Sequence, residues 1–267
     1  MLYFVGTPIG NLKDVTYRAI ETLKEADLIA CEDTRHSIKF LSAFDIKKPL
    51  VSYHKFNERE SGEKIITLLK EGKTVAVITD AGMPVISDPG NVLVKMLIEE
   101  ELPFTVIPGV SAFTAGLVLC GLDASRFCFI GFLPEKNKDF KELISQYKTV
   151  KDTLIFYAAP HDLKDHVERL FEELGNRKAV AVREITKLHE EREEFYLKDG
   201  YPKEPKGEYV LYVEGATEYI NPLNELSVEE HIAYYIEKGM DKKSALKEAA
   251  KDRGVPKNTL YKYTINN

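Results

Sequence analysis

Five consecutive residues, Glu32-Asp33-Thr34-Arg35-His36, combine side chains that can accept a proton with side chains that can hold a phosphate. Glu32, Asp33 and His36 are candidates for a general base, because carboxylates and imidazoles accept protons within hydrogen-bond reach. Arg35 is the candidate that would contact a phosphate. The alternative is a helix start, with Thr34 as its cap, the acids at its positive end and the cations solvated.

Three loops rich in glycine and proline follow predicted strands, at residues 6–11, 79–90 and 108–112. Ligands of open parallel sheets gather where the carboxyl ends of the strands meet. Each loop by itself is equally well explained as a turn. Together the three loops carry few bulky side chains and let a ligand approach the backbone closely. We therefore interpret them as one small-molecule cleft, with Asp80 as its carboxylate.

The ligand of this cleft is narrowed by motifs that the sequence lacks. Neither the G-x-G-x-x-G dinucleotide fingerprint nor the G-x-x-x-x-G-K-[ST] phosphate loop is present, which disfavours pyrophosphate and nucleoside triphosphates. A ligand that is part adenosine and part amino acid, and cationic at sulfur, needs backbone hydrogen bonds, an apolar slot and a carboxylate. The histidines, cysteines and acids show no metal-ligand spacing, so no metal is expected.

The elements that must position these loops alternate along the first half of the chain. Helical patterns separate short apolar runs, which predict strands at residues 2–5, 28–31, 50–53, 74–79 and 104–107. Such alternation predicts a mostly parallel sheet with helices on both faces. The pattern changes near Gly121, so we predict an N-terminal α/β domain over residues 1–120.

A second, smaller domain is predicted over residues 121–222. Its strands are predicted at residues 127–132, 153–157, 179–183 and 209–213, in a mixed sheet, and the Glu-rich stretch at 190–194 is ambiguous. Residues 223–267 carry apolar spacing around a turn at Gly254, which predicts a helix-turn-helix-like tail ending near Lys262. The fold class predicted is therefore α/β, with two domains and a small helical C-terminal module.

Composition and charge are those of a folded protein. Hydrophobic residues make up 44% and charged residues 30% of the 267 residues. The net charge of -6 argues weakly against a large nucleic-acid surface but leaves room for a local basic patch. The sequence lacks a membrane-length apolar segment, on the order of 20 residues, and a basic leader, so we expect a cytoplasmic protein without membrane contact.

Nine sequence blocks follow one another over nearly the whole chain. The blocks are Thr7-Pro8-Ile9-Gly10-Asn11-Leu12, Glu32-Asp33-Thr34-Arg35, Ser52-Tyr53-His54, Asp80-Ala81-Gly82-x-Pro84-x-Ile86-Ser87-Asp88-Pro89-Gly90, Pro108-Gly109-x-Ser111-Ala112, Gly131-Phe132-Leu133-Pro134, Phe156-Tyr157-x-x-Pro160-His161, Arg183-Glu184-x-Thr186-Lys187 and Lys206-Gly207-Glu208-Tyr209-Val210. In this order they resemble the signature of the tetrapyrrole methylase family, in its branch that 2'-O-methylates cytidine in small-subunit ribosomal RNA. The sequence departs from the expected residues at Met83, at Val85, where glycine is expected, and at Ala158-Ala159.

The resemblance implies an S-adenosylmethionine-dependent methyltransferase that holds its cofactor between the two domains and forms a homodimer. Its substrate would be small-subunit (16S) ribosomal RNA or the assembled small subunit. The implied cofactor contacts are Pro8, Thr79, Asp80, Ala81, Gly82, Met83, Ser111 and Ala112 from the first domain, and Tyr157, Ala158, Ile185 and Gly207 from the second.

A second polar cluster, formed by His54, Asn57 and Arg59, follows the third predicted strand. With Arg35, these residues are the RNA-binding candidates, although the cluster is also explained as a helix cap. Two other functions stay open. One is a methyltransferase of the same fold that acts on a tetrapyrrole or another small molecule, and the other is a regulator that senses a ligand and binds DNA through the terminal helices.

Overall fold

The computed structural model describes residues 1–217, 222–224, 226–253 and 255–260. Met1–Gly215 form one compact unit and Ala216–Asn267 form another. The first unit contains two five-stranded sheets, and the described part of the second unit is helical. In the described residues, no helix is both long and apolar enough to cross a membrane.

The first sheet is entirely parallel, with the strand order β3-β2-β4-β1-β5. Its strands are β1 (Leu2–Val5), β2 (Leu28–Cys31), β3 (Leu50–Ser52), β4 (Val75–Val77) and β5 (Phe104–Ile107). The helices between and after them are α1 (Tyr17–Glu25), α2 (Thr34–Ala43), α3 (Glu58–Lys70), α4 (Asn91–Glu99) and α5 (Ala112–Cys120). This architecture confirms the parallel sheet predicted from the alternating pattern.

Successive side chains of the central strands enter two different cores, as the two-residue period of a strand requires. In β2, Ile29 and Cys31 belong to the core under α1 and α2, whereas Ala30 belongs to the core under α3 and α4. Strands buried on both faces are apolar throughout, which is why short β-branched runs identified them in the sequence.

Parallel pairing brings the carboxyl ends of these strands to one edge of the sheet. There the loops after β1 and β4 are tied together by a pair of backbone hydrogen bonds between Thr7 and Gly82, at 2.9 and 3.1 Å. The Thr7 hydroxyl also donates to the Thr79 carbonyl oxygen, at 3.2 Å. The sequence-predicted cleft loops therefore lie side by side.

The second sheet has the order β6-β7-β10-β8-β9, in which only β6 and β7 are parallel. Its strands are β6 (Phe127–Phe132), β7 (Thr153–Ala158), β8 (Lys178–Arg183), β9 (Glu191–Tyr196) and β10 (Tyr209–Val213). The helices α6 (Asn137–Ser145) and α7 (Leu163–Leu174) share a core with one face. The other face shares a core with Leu117 and Cys120 of α5. The predicted domain boundary at residue 120 falls at the end of α5 and stays a prediction.

The second unit contains α8 (Val228–Glu237), α9 (Lys242–Asp252) and α10 (Lys257–Leu260) around a small apolar core. The fully buried His231 contacts Asp252 at 3.2 Å and accepts a hydrogen bond from Arg253 at 3.1 Å, so a polar network joins α8 to the end of α9. Gly254 and Lys262, the predicted turn and helix end, lie outside the described residues.

The start of α2 differs from the sequence-based expectation. Asp33, not Thr34, is the cap: its carboxylate accepts a hydrogen bond from the backbone N–H of Arg35 at 2.8 Å, and Thr34 is the first helical residue. Aspartate is as good a cap as threonine or better, and here it also stands one position earlier.

Candidate active site

A cavity of about 470 Å³ opens where the loops of the first sheet meet β7, β8 and β10 of the second. Its wall is apolar over most of its extent, with carboxylates on one side and a lysine among acids on the other. The lining residues are Ile9, Asp80, Ala81, Gly82, Met83, Ile86, Ser87, Asp88, Ser111, Ala112, Phe132, Tyr157, Ala158, Ala159, Pro160, Val182, Glu184, Ile185, Lys187, Glu208, Tyr209 and Val210.

Most of the sequence-predicted cofactor residues lie in this wall. They are Asp80, Ala81, Gly82, Met83, Ser111, Ala112, Tyr157, Ala158 and Ile185. Pro8 and Thr79 instead line an adjoining cavity of about 210 Å³, which shares Asp80 with the larger one. Gly207 is in the wall of neither of these two cavities and lies against Glu184 at a backbone φ of +75°.

The loop between β4 and α4 is held in a conformation that side chains other than glycine rarely adopt. Val85 has φ +76° and Ser87 has φ +64°, both in the left-handed region. Such residues cost about 1–3 kcal/mol each and persist only where the surroundings fix them. The expectation of glycine at position 85 thus has a physical reason, since only glycine enters this region freely.

Carboxylates gather at the carboxyl ends of β2 and β4. The Thr79 hydroxyl donates to Glu32 at 3.4 Å and also lies beside Asp88, and Asp80 accepts a hydrogen bond from the backbone N–H of Asp33 at 3.3 Å. Burial raises the pKa of Glu32, and the Asp80 charge raises it further. Burial, together with the charges of Glu32 and Asp80, raises the pKa of Asp88 to about 6.

The three predicted base candidates differ sharply in their surroundings. Hydrogen bonds from the Arg35 side chain and backbone lower the pKa of Asp33 to about 2, so this carboxylate is a weak base that caps α2. His36 is exposed and lines the smaller cavity. Of the three, only Glu32 belongs to the partly buried cluster of carboxylates.

The predicted RNA-binding residues divide into structural and exposed ones. Asn57 accepts from the His54 backbone N–H at 2.7 Å and donates to the Ser52 carbonyl at 3.2 Å, so its side chain stabilises the turn before α3. The side chains of Arg35 and Arg59 are each 89% exposed. The Phe56 ring is also exposed, and it packs edge-on against the His54 ring.

The charges that face the carboxylates across the cavity are paired. Lys187 contacts Glu184 at 3.1 Å and Glu208 at 2.7 Å. Burial opposes the charge of Lys187, but these hydrogen bonds outweigh it and raise its pKa. Among the described residues, no group of three or more His, Cys, Asp or Glu side chains is placed to hold a metal ion.

Residues 1–199 match the model of a family described as Tetrapyrrole (Corrin/Porphyrin) Methylases. The chain belongs to this family. Two relatives are named Ribosomal RNA small subunit methyltransferase I. That of Halalkalibacterium halodurans is 46% identical over 268 residues, covering 97% of this chain and 93% of the relative. That of Bacillus subtilis is 42% identical over 270 residues, covering 98% and 92%. The chain is thus a methyltransferase, and the resemblance found in its sequence is confirmed.

The same fold is found in solved structures of the family. One is the uroporphyrin-III C-methyl transferase of Thermus thermophilus, complexed with S-adenyl homocysteine. It superposes with a TM-score of 0.57 at 19% identity and covers 80% of this chain and 96% of that chain. This likeness confirms the predicted fold of a parallel sheet followed by a mixed sheet.

Sequence reasoning missed several residues in the wall of this tetrapyrrole methylase cavity. Ser87, Asp88, Glu184, Lys187 and Glu208 line the cavity although none was assigned a role. All five stand inside the sequence blocks that carried the family resemblance. Position within such a block was therefore the available signal, and burial and partners, which need the fold, decide which block residues face the cavity.

Proposed function

We propose that the protein transfers a methyl group from S-adenosylmethionine to the ribose 2'-hydroxyl of a cytidine in small-subunit ribosomal RNA. The observation that carries this proposal is the cavity between the two sheets, with its apolar wall and carboxylates. The relatives named Ribosomal RNA small subunit methyltransferase I, aligned over nearly the whole chain, support RNA as the substrate.

The cavity suits this cofactor in size and chemistry. Small-molecule sites are typically about 300–1,000 Å³ and mostly apolar with a few polar groups, and this one is about 470 Å³. S-adenosylmethionine supplies an electrophilic methyl group on a cationic sulfur. Tyr157, Ile185 and Val210 offer an apolar surface for an adenine ring, and Asp80 offers negative charge for a cationic group.

The twelve cofactor contacts expected from the resemblance are retained in the proposal, with Pro8 and Thr79 acting from the adjoining cavity. The proposed catalytic residues belong to the cluster of carboxylates formed by Glu32, Asp80 and Asp88. We assign Asp33 the task of orienting Arg35, whose exposed guanidinium would meet a phosphate. His36, at the rim of the smaller cavity, would contact the substrate rather than take its proton.

RNA would reach the site across the surface that follows β2 and β3. Arg35 and Arg59 are exposed cations suited to phosphate oxygens, and His54 is held in a turn fixed by Asn57. Phe56, 94% exposed, gives a single-stranded base a ring on which to stack.

The proposal includes a homodimer acting in the cytoplasm, where ribosomes are. Two consecutive elements expose apolar side chains that a second copy would cover: Phe104 and Val106 on the edge strand β5, and Val118, 83% exposed, on α5. Exposed apolar residues on an edge strand favour association, and identical chains associate most often as symmetric dimers.

The decisive experiment supplies the protein with S-adenosylmethionine carrying a labelled methyl group. Small ribosomal subunits, free small-subunit RNA and a reduced porphyrin precursor serve as parallel acceptors. We expect label on one cytidine, in the ribose fraction after nuclease digestion, from the subunit or the free RNA. Label in the porphyrin precursor and none in RNA would establish the small-molecule alternative instead. Duplex DNA binding without methyl transfer would support the regulator.

A further inference from the structure

Three acidic side chains at the carboxyl ends of β2 and β4 lie together, and the charge of His54 offsets only part of the burial that raises the pKa of Glu32. Glu32 follows β2, and Asp80 and Asp88 belong to the loop after β4. The charges of Glu32 and Asp80 both act on Asp88, and the charge of Asp80 also acts on Glu32. In the described part of the chain, no ion pair joins any of the three to a lysine, an arginine or a histidine, whereas Asp33 next to them is paired with Arg35.

Asp88 is the member of this group whose carboxylate is least committed to the fold. Asp80 accepts the backbone N–H of Asp33, which connects the loop after β4 to the start of α2. Asp88 lines the larger cavity and has the Thr79 hydroxyl as its neighbour. That hydroxyl also faces Glu32, at 3.4 Å, and its single proton can serve only one of the two carboxylates at a time.

The backbone around Asp88 is fixed, so its carboxylate has a defined position. The Val85 N–H donates to the Pro89 carbonyl at 3.3 Å, and Ser87 is held at φ +64°. Tyr157 at the end of β7 faces Asp88 from the second sheet, and the Asp88 charge raises the pKa of that phenol after burial has raised it more. Catalytic groups need this kind of rigid support.

The electrostatics of the site suit Asp88 to proton transfer. Burial, with the charges of Glu32 and Asp80, raises its pKa to about 6. A carboxylate with this pKa is ionised at neutral pH and is a stronger base than an ordinary aspartate. The groups that face it are Glu32, Asp80 and Tyr157, each from the end of a different strand.

We propose that Asp88 is the general base of methyl transfer, and that Glu32 is a positioning residue that acts on Asp88 through its charge and the shared Thr79 hydroxyl. The inference rests on the proposed function. The ribose 2'-oxygen forms a bond to the methyl carbon, and the carbon–sulfur bond breaks with its electron pair left on a neutral sulfur. The hydroxyl proton passes to the Asp88 carboxylate and then to water, so that one proton is released per methyl group.

The first test separates proton transfer from binding. Asp88→Asn keeps the shape of the side chain and removes its basicity. We expect the single-turnover rate of RNA methylation to fall at least about 100-fold, the low end of what a general base contributes. Affinities for S-adenosylhomocysteine, by titration calorimetry, and for small-subunit RNA should stay within about threefold, as expected of a group that acts in the transition state. Asp139→Asn, an exposed aspartate on α6, is the matched control.

The second test reads the carboxylate directly. In protein labelled at the aspartate carboxyl carbon, the NMR signal lost in Asp88→Asn should titrate near pH 6. Glu32→Gln removes a negative neighbour, so the same signal should titrate at lower pH. In Glu32→Gln, the acidic limb of the pH–rate profile of methylation should also move to lower pH. A purely structural role of Glu32 would not produce this shift.

Each other outcome contradicts a different statement. Asp88→Asn that methylates RNA within tenfold of the wild-type rate overturns Asp88 as the base. A loss of S-adenosylhomocysteine affinity beyond tenfold in the same variant shows that Asp88 binds the cofactor and overturns the inference too. If the Asp88 signal titrates below pH 5, or if its titration midpoint is the same in Glu32→Gln as in the wild type, Glu32 does not act on Asp88 as proposed. Wild-type protein that leaves RNA unmethylated contradicts the proposed function itself.

Discussion

The two walls of the large cavity differ in whether their charged side chains form ion pairs. On the first-sheet side, Asp80 and Asp88 face the cavity without an ion-pair partner among the described residues. On the second-sheet side, Lys187 forms ion pairs with both Glu184 and Glu208, at 3.1 and 2.7 Å. Ion-paired charges fix the geometry of a wall. Partly buried carboxylates without an ion pair keep a raised affinity for a proton, which is useful where a proton must be accepted.

In backbone strain the two walls are alike. Val85 and Ser87 have positive φ on the first-sheet side, and Glu184 at +49° and Thr186 at +69° have positive φ on the other. Each pair lies in a loop that lines the cavity or stands directly beside it. Backbone strain is therefore common to both walls of the cavity. Carboxylates without an ion pair occur on the first-sheet wall, to which we assign proton transfer.

The largest expected difference between the walls is a gain in stability on removing the Asp88 charge. The folded-state pKa of about 6 lies above the ordinary 3.8, so the folded protein binds this proton more tightly. The protonated Asp88 carboxyl therefore contributes to the free energy of unfolding. This contribution is fully present below pH 3.8 and is lost as the pH rises through 6. Asp88→Asn should therefore raise the free energy of unfolding by about 1–3 kcal/mol at pH 7.5.

Urea denaturation at pH 7.5 and at pH 4 measures this gain, with Asp139→Asn as the control for the loss of any exposed aspartate. The difference between wild type and Asp88→Asn should shrink toward zero at pH 4, where the wild-type carboxyl is protonated. A stability loss of similar size at both pH values would mean that Asp88 supports the fold, and the contrast between the walls would fail.

An opposite and somewhat smaller effect is expected from Lys187. Burial works against the charge of Glu184, but hydrogen bonds from the Glu208 N–H and from Lys187 outweigh it and lower its pKa. That stabilisation is present above the ordinary pKa of 4.5 and is lost as the pH falls. Lys187→Met should reduce the free energy of unfolding by about 1–2 kcal/mol at pH 7.5, since it leaves a partly buried carboxylate unpaired.

Denaturation of Lys187→Met, Lys187→Arg and the exposed control Lys138→Met tests this second wall. The arginine variant keeps the charge and should recover part of the loss. The deficit of Lys187→Met should narrow toward pH 4 as the two glutamates become protonated. Equal stability of wild type and Lys187→Met at pH 7.5 would show that the ion pairs of this wall contribute nothing.

Much of this arrangement was predictable from the sequence, and the parts that were not share a cause. Buried parallel strands such as β2 are apolar throughout and were recognised. In contrast, β9 begins with four consecutive charged residues on a sheet edge and stayed ambiguous. Asp80 was recognised because it directly follows the strand predicted at residues 74–79. Asp88 was missed because its raised pKa comes from burial in the folded chain and from the charge of Glu32, which is distant in sequence. Position along the chain does not encode that burial.

The smallest expected effects concern strain, and they distinguish the walls once more. Thr186 is β-branched, sits at φ +69°, and its buried hydroxyl has no hydrogen-bond partner among the described residues. Glycine there removes the strain and the unsatisfied hydroxyl, against a conformational-entropy cost of about 0.5–1 kcal/mol. Thr186→Gly should thus stabilise the protein by about 1 kcal/mol.

Val85→Gly should change the stability little, although it relieves the same kind of strain. The Val85 side chain packs against the core under α3 and α4, and losing that contact costs about 1 kcal/mol. The free energy gained by relieving the backbone strain at φ +76° and the free energy lost with the packing then nearly cancel. Thermal and urea denaturation of the two glycine variants in parallel compares them directly. If Val85→Gly is the more stabilising of the two, strain on the first-sheet wall exceeds the packing that holds it, and the likeness of the two walls in strain no longer stands.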